Sequence, residues 1–178
     1  MDPVPVKVNK VMKRISYKNI LSLILIAMML LTITSCGTAG KEVHESGMVI
    51  TLPKGFQRAT MENATWYYKS SDALAMGIRI YKSDLEKEGL ESNSAQDYAA
   101  AYIKANSVPG DPEIQIEDKY VYFEYDAKVS GSAYSYLTCI YDHDDTYWLV
   151  NFACYKQAYK ESRSDFFKWA DSVEFENE

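Results

Sequence analysis

Residues 48–178 predict an α+β domain in which an antiparallel β-sheet meander is packed with helices. Three observations carry this expectation. Glu113–Ile116, Tyr120–Val129, Ala133–Asp142 and Tyr147–Tyr155 alternate apolar and polar residues and are joined by short turns, as consecutive antiparallel strands require. Two other segments, after Ser94 and from Tyr159 to Asp171, repeat their apolar residues at helical spacing. Finally, 143 residues follow position 35, enough for one domain with a core and too few for two ordinary ones.

The N-terminal segment reads as targeting, not structure. Lys7, Lys10, Lys13, Arg14 and Lys18 precede the 14-residue apolar run Ile20–Ile33, which falls short of the roughly 20 apolar residues a membrane-spanning helix needs. Small residues then lead into a cysteine in Ile33-Thr34-Ser35-Cys36. This pattern resembles the lipobox of bacterial lipoproteins. The resemblance implies a signal peptide over 1–35, cleavage before Cys36, and a diacylglyceryl group on that sulfur. An ordinary signal peptide and an uncleaved anchor are the alternatives. Translation could start at Met1 or at Met12, where Met12-Lys13-Arg14 makes a more compact start. The basic side is cytoplasmic, so the rest of the chain faces outward, anchored at the outer leaflet of the cell membrane. Two acyl chains give stable attachment where one gives marginal binding.

Residues 36–47 are small and polar and read as the lipidated cysteine followed by a flexible tether. Beyond position 35 the chain carries 14 basic and 24 acidic residues, a net charge of −10. That excludes nucleic acid as a partner and argues against direct binding to anionic headgroups.

Within the domain, Met48–Pro53 reads as a strand halted by proline, with a turn at Lys54-Gly55-Phe56. Trp66–Lys69 and Ala73–Tyr81 form a hairpin around Ser70-Ser71-Asp72, with Trp66, Tyr68, Leu74, Met76, Ile78 and Ile80 on one core face. Ser94 can cap a helix with Asp97 at its third position, and Tyr98, Ala101, Tyr102 and Ala105 make its stripe. Pro109-Gly110-Asp111-Pro112 ends that segment. In the meander, a Ser130-Gly131-Ser132 turn places Val121, Phe123, Tyr125 and Ala127 on a face with Leu137, Cys139, Tyr141, Trp148, Val150, Phe152 and Cys154. The last helix carries Phe166, Trp169, Ala170 and Val173 on one stripe.

The opposite face then holds Tyr120, Tyr122, Tyr134, Tyr136, Tyr147 and Tyr155 beside Ile140 and Leu149. Either a helix covers it, with phenol hydroxyls reaching the rim, or it is an exposed aromatic sheet that takes a partner or a sugar chain.

Of three cysteines, lipidation accounts for Cys36. If Asp144-Asp145 is a two-residue turn, Cys139 faces Val150 and Cys154 faces Ser135. The two are then about 13 Å apart along the ladder, beyond the roughly 7 Å a disulfide tolerates. Two buried free thiols are expected.

Catalytic and metal chemistry find little to use. His44 lies in the tether, and His143 sits in Asp142-His143-Asp144-Asp145, a polar hairpin tip that lacks the glycine and terminal glutamate of a calcium loop. Glu86, Glu88 and Glu91 form an acidic stretch without a cleft signal, and Ser130 and Ser132 have no activating neighbour. No catalytic residue, metal ligand or cofactor is expected.

The order of elements, with Leu52-Pro53-Lys54-Gly55-Phe56 near its start and Trp169-Ala170-Asp171-Ser172-Val173-Glu174-Phe175 at its end, resembles the PsbP-like fold shared with DcrB-type bacterial lipoproteins. The resemblance covers roughly Met48 to Phe175 and implies an α/β/α sandwich. It also implies noncatalytic work, as an accessory subunit binding a protein of the envelope. A solute- or glycan-binding lipoprotein using the tyrosine face is the alternative.

Overall fold

The computed structural model describes residues 40–90 and 92–176; Cys36 and the expected signal peptide lie outside the described residues. Among the described residues, ten strands and three helices follow one another: β1 (Gly40–Glu45), β2 (Met48–Pro53), β3 (Gln57–Arg58), β4 (Trp66–Lys69), β5 (Ala73–Tyr81), α1 (Lys82–Lys87), α2 (Ala95–Asn106), β6 (Gln115–Ile116), β7 (Val121–Val129), β8 (Ser132–His143), β9 (Thr146–Tyr155), α3 (Lys156–Asp171) and β10 (Glu174–Phe175). All pairings are antiparallel. The large sheet has the order β3-β4-β5-β9-β8-β7-β6, and a small one has the order β1-β2-β10.

The large sheet is covered on both faces, which makes the architecture an α+β sandwich of the predicted α/β/α kind. One face carries Trp66, Leu137, Cys139, Tyr141, Trp148, Val150 and Phe152, and packs against Phe166 and Ala170 of α3 and Met48, Ile50 and Leu52 of the small sheet. On the other, Ala99 and Ile103 of α2 sit over Phe123, Ile140, Tyr147 and Leu149. Ala59, Met61 and Ala64 from the loop before β4 close the remaining part, over Tyr67, Leu74, Met76, Tyr134 and Tyr136.

Local chemistry explains the element ends. Ser94 Oγ accepts the Asp97 N–H at 3.1 Å, the expected N-cap of α2. Ser46-Gly47 and Ser130-Gly131 both adopt positive φ (56° and 87°; 47° and 87°), the geometry of two-residue turns whose twist matches that of the flanking strands.

Three expectations need correcting, and one short helix is added. Residues 40–45, assigned to the tether, form β1, paired with β2 along its whole length through the Ser46-Gly47 turn. The acidic stretch begins with a short helix, α1. The buried stripe of α2 is Ala99 and Ile103 with Tyr98 and Tyr102 beside them, and Ala105 is exposed. Most consequentially, two hairpins turn in two residues where three were expected. Val129 pairs with Ser132, and Ser70 N–H donates to the Ala73 carbonyl at 2.8 Å around Ser71-Asp72. A slip of one residue reverses the faces of a strand. Tyr125 therefore pairs with Tyr136, and Trp66 pairs with Gly77 while Leu74 and Met76 share their face with Tyr67. The Trp66 ring lies against Gly77 so closely that a Cβ there would stand 2.2 Å from Cε2.

Candidate functional site

The six tyrosines proposed as a surface are divided between the two faces. Tyr134, Tyr136, Tyr147 and Tyr155 share the α2 face, but Tyr120 and Tyr122 lie on the α3 face, because the shorter turn reverses β7 and its N-terminal approach. Tyr120 packs against Tyr141 with the rings tilted at 5.1 Å and donates to Asp171 Oδ1 at 2.8 Å, and Tyr122 meets Phe167 edge-on. Tyr147 lies parallel to Tyr98 of α2 at 5.0 Å and donates to the Ser92 carbonyl. Tyr134 stacks on Tyr155 and Tyr136 on Tyr125, each at 4.8 Å. Tyr120, Tyr134, Tyr136 and Tyr147 are buried. A ligand or sugar chain would have to displace α2 or the 59–64 loop to reach that face, so an open aromatic sheet is replaced by a covered one.

The remaining polar groups are mostly tied into the fold. Cys139 pairs with Val150 and Cys154 with Ser135, as expected, and both are buried free thiols whose pKa values burial pushes up. His143 stacks on Phe175 at 4.3 Å and lies 3.4 Å from Asp144 Oδ2 across the hairpin tip. Among the described residues no group of three or more His, Cys, Asp or Glu side chains gathers as a metal site would. Glu86 belongs to exposed α1, Glu88 caps its end, and Glu91 lies outside the described residues. Ser130 lies in the β7–β8 turn, and Ser132 opens β8.

Two carboxylates act as clamps. Glu45 accepts from Arg58 Nε at 2.7 Å, from Arg58 Nη2 at 3.1 Å and from Tyr68 Oη at 2.7 Å, tying the small sheet to the large one. The Arg58 hydrogen bonds hold its carboxyl below the ordinary range. Glu124 accepts both prongs of the Arg163 fork, at 2.8 and 2.7 Å, and the Tyr159 hydroxyl. An open groove of about 390 Å³ runs along the C-terminal end of α2, lined by Ala100, Ile103, Lys104, Val108, Pro112 and Ile114.

One constellation has spare capacity for recognition. On the small-sheet side of the β8–β9 tip, the Arg79 guanidinium lies 5.1 Å from the Tyr81 ring centre and 5.7 Å from that of Trp148. Arg79 Nη1 donates to the Ser46 carbonyl at 3.2 Å, and no carboxylate pairs with it among the described residues. Tyr81 is 39% exposed, one of two large apolar or aromatic residues left so open among the described residues. Lys82 beside it is held by Asp142 Oδ1 at 2.5 Å and the Asp144 carbonyl. An arginine held near two aromatic rings, with donors to spare on a strongly acidic domain, can take a carboxylate or a carbonyl pair from a partner. Sequence reading passed over it, although its signal is visible: Arg79 is the single charge within Ala73–Tyr81.

No family model and no curated protein matches the sequence. Solved structures do. The solution structure of cyanobacterial PsbP (CyanoP) from Synechocystis is similar over 80% of this chain and 98% of its own, with a TM-score of 0.53 and 14% identity. A crystal structure from Bacteroides thetaiotaomicron matches 79% of this chain with a TM-score of 0.51 and 11% identity, and the match spans 49% of that longer protein. With the element order and layers described above, these likenesses give the chain a PsbP-like fold.

Proposed function

We propose that this protein is held at the outer leaflet of the cell membrane through a diacylglyceryl-modified Cys36 and works outside the cytoplasm by binding a protein of the envelope, as an accessory subunit. Ile33-Thr34-Ser35-Cys36 behind a cationic and apolar leader supports the anchor. No helix among the described residues is long and apolar enough to cross a membrane. The binding role rests on one observation, the half-buried Arg79 guanidinium held against Trp148 beside the exposed Tyr81. Arginine and tyrosine dominate the energetics of protein interfaces, and their position beside a rigid sheet leaves little entropy to lose on docking.

The test is affinity capture of the full chain from its native membrane, alongside Cys36→Ala and the double variant Arg79→Ala/Tyr81→Ala. The expected outcome is release of Cys36→Ala into the soluble fraction. A stoichiometric protein partner should accompany the native chain, with capture by the double variant reduced at least tenfold at unchanged melting temperature. Membrane retention of Cys36→Ala would overturn the anchor, and undiminished capture by the double variant would overturn the binding surface.

A further inference from the structure

Beyond Tyr122, where the β6 pairing ends, the outer side of β7 is a bare strand edge. Because Ser130-Gly131 is a two-residue turn, Val129 and Ser132 form a hydrogen-bonded pair, and the alternation of an antiparallel ladder fixes the rest. Val129, Ala127, Tyr125 and Phe123 direct their backbone groups to β8, and Lys128, Asp126 and Glu124 direct theirs outward. The other neighbour agrees with this phase: Glu117 N–H donates to the Tyr120 carbonyl at 2.9 Å, and the β6 ladder ends at Tyr122. Among the described residues, no backbone group pairs with the outward N–H and C=O groups of Glu124, Asp126 and Lys128. Such an edge is a template for another strand.

We propose that the strand it takes is β7 of a second copy, antiparallel about a two-fold axis at Asp126. Charge selects this occupant. In that register Glu124 stands opposite Lys128 of the other copy, and the contact occurs twice. Lys128 is exposed and has no carboxylate partner in its own chain among the described residues. The two Asp126 carboxylates face each other, but each is already held by Lys156 Nζ at 2.7 Å and Ser135 Oγ at 2.5 Å of its own chain. All three outward residues then pair in both copies. Moving the axis to Ala127 would leave Glu124 opposite residue 130, which has turned away. Moving it to Tyr125 would set Lys128 opposite Tyr122, whose outward side already pairs with Gln115 of β6, and would leave Lys128 without a carboxylate. The pairing joins two seven-stranded sheets into one and is independent of the reading at Arg79.

The register makes the test sharp. At the axis the Asp126 Cα atoms stand about 5.5 Å apart, within disulfide reach, whereas the two Lys128 positions are separated by about 13 Å along the ladder. The full chain, extracted in detergent from its membrane, is expected to sediment as a dimer. Asp126→Cys should give a covalent dimer on oxidation, and Lys128→Cys should not. Lys128→Glu, which sets Glu against Glu124, should sediment as a monomer with an unchanged melting temperature. A monomeric native chain, equal cross-linking at both cysteine positions, or a dimer indifferent to Lys128→Glu would each overturn the proposal. So would a different protein captured along this edge in place of the second copy. Should Lys128→Glu fail to fold, the two cysteine variants decide alone.

Discussion

At Glu124 two opposing effects meet in one carboxyl group. Burial against α3 pushes its pKa up, while the Arg163 fork, the Tyr159 hydroxyl and the arginine's charge together pull it down further, leaving it below the ordinary value. A group whose folded pKa is depressed contributes stability that is present above its unfolded pKa, about 4.3 for glutamate, and is lost as pH falls through the folded value. Arg163→Ala is therefore expected to lower stability by about 1 kcal/mol at pH 7, allowing for the arginine's solvent exposure. At acid pH the loss should be smaller, near pH 2 for example, since protonation of Glu124 removes the charge that the Arg163 fork binds. Urea unfolding at the two pH values checks this. Equal losses would assign the effect to the stacking of Arg163 over Phe167 at 4.6 Å instead. At this scale the sequence was informative where a pairing followed from one turn, as with Cys139 and Cys154, and uninformative where contacts join distant segments, as between Glu124 and Arg163.

Among the elements, turn length decided what could be read in advance. The strands of the meander and the helices after Ser94 and before Asp171 were legible because period 2 and period 3.6 survive in the apolar residues. The faces of β4, β5 and β7 were not, because a serine-rich turn supports a two- or a three-residue connection equally well on composition, and each choice inverts one strand. Aromatic residues on both faces of β7 hid the error, since Phe123, Tyr125, Tyr120 and Tyr122 can all be buried in either phase. Gly131 at φ 87° has open space around the position of a Cβ, so only backbone conformation opposes a larger residue there. Gly131→Ala is expected to destabilise the domain by about 1 kcal/mol. Ser130→Asn, which creates the preferred Asn-Gly pair for this turn, should leave stability unchanged or raise it by a few tenths of a kcal/mol. Thermal melts of the two variants test the turn assignment. A neutral Gly131→Ala would mean that the connection is not of this type.

For the molecule as a whole, the question is where the folded unit begins. Composition set the boundary at Met48, because Gly40–Glu45 has a single apolar side chain, Val43, among polar neighbours. In the structure that one side chain is buried, every residue of the segment pairs with β2, and Glu45 reaches across to Arg58 and Tyr68 of the large sheet. A strand can thus belong to a fold on backbone pairing and two anchoring side chains, with almost no periodic signal. A chain shortened to begin at Gly40 should match the stability of the longer protein in the domain's melting transition, whereas one beginning at Met48 should lose roughly 3 kcal/mol. About 1.5 kcal/mol of that comes from the burial of Val43, and a similar amount from the charged hydrogen bonds of Glu45. Restoring residues 40–45 with Val43→Ser and Glu45→Gln should recover the backbone pairing but only part of the stability. If the chain from Met48 melts with the one from Gly40, β1 is an appendage to the sandwich. A loss of the expected size makes it the outer layer of the core, continuous with the segment that leads back to Cys36.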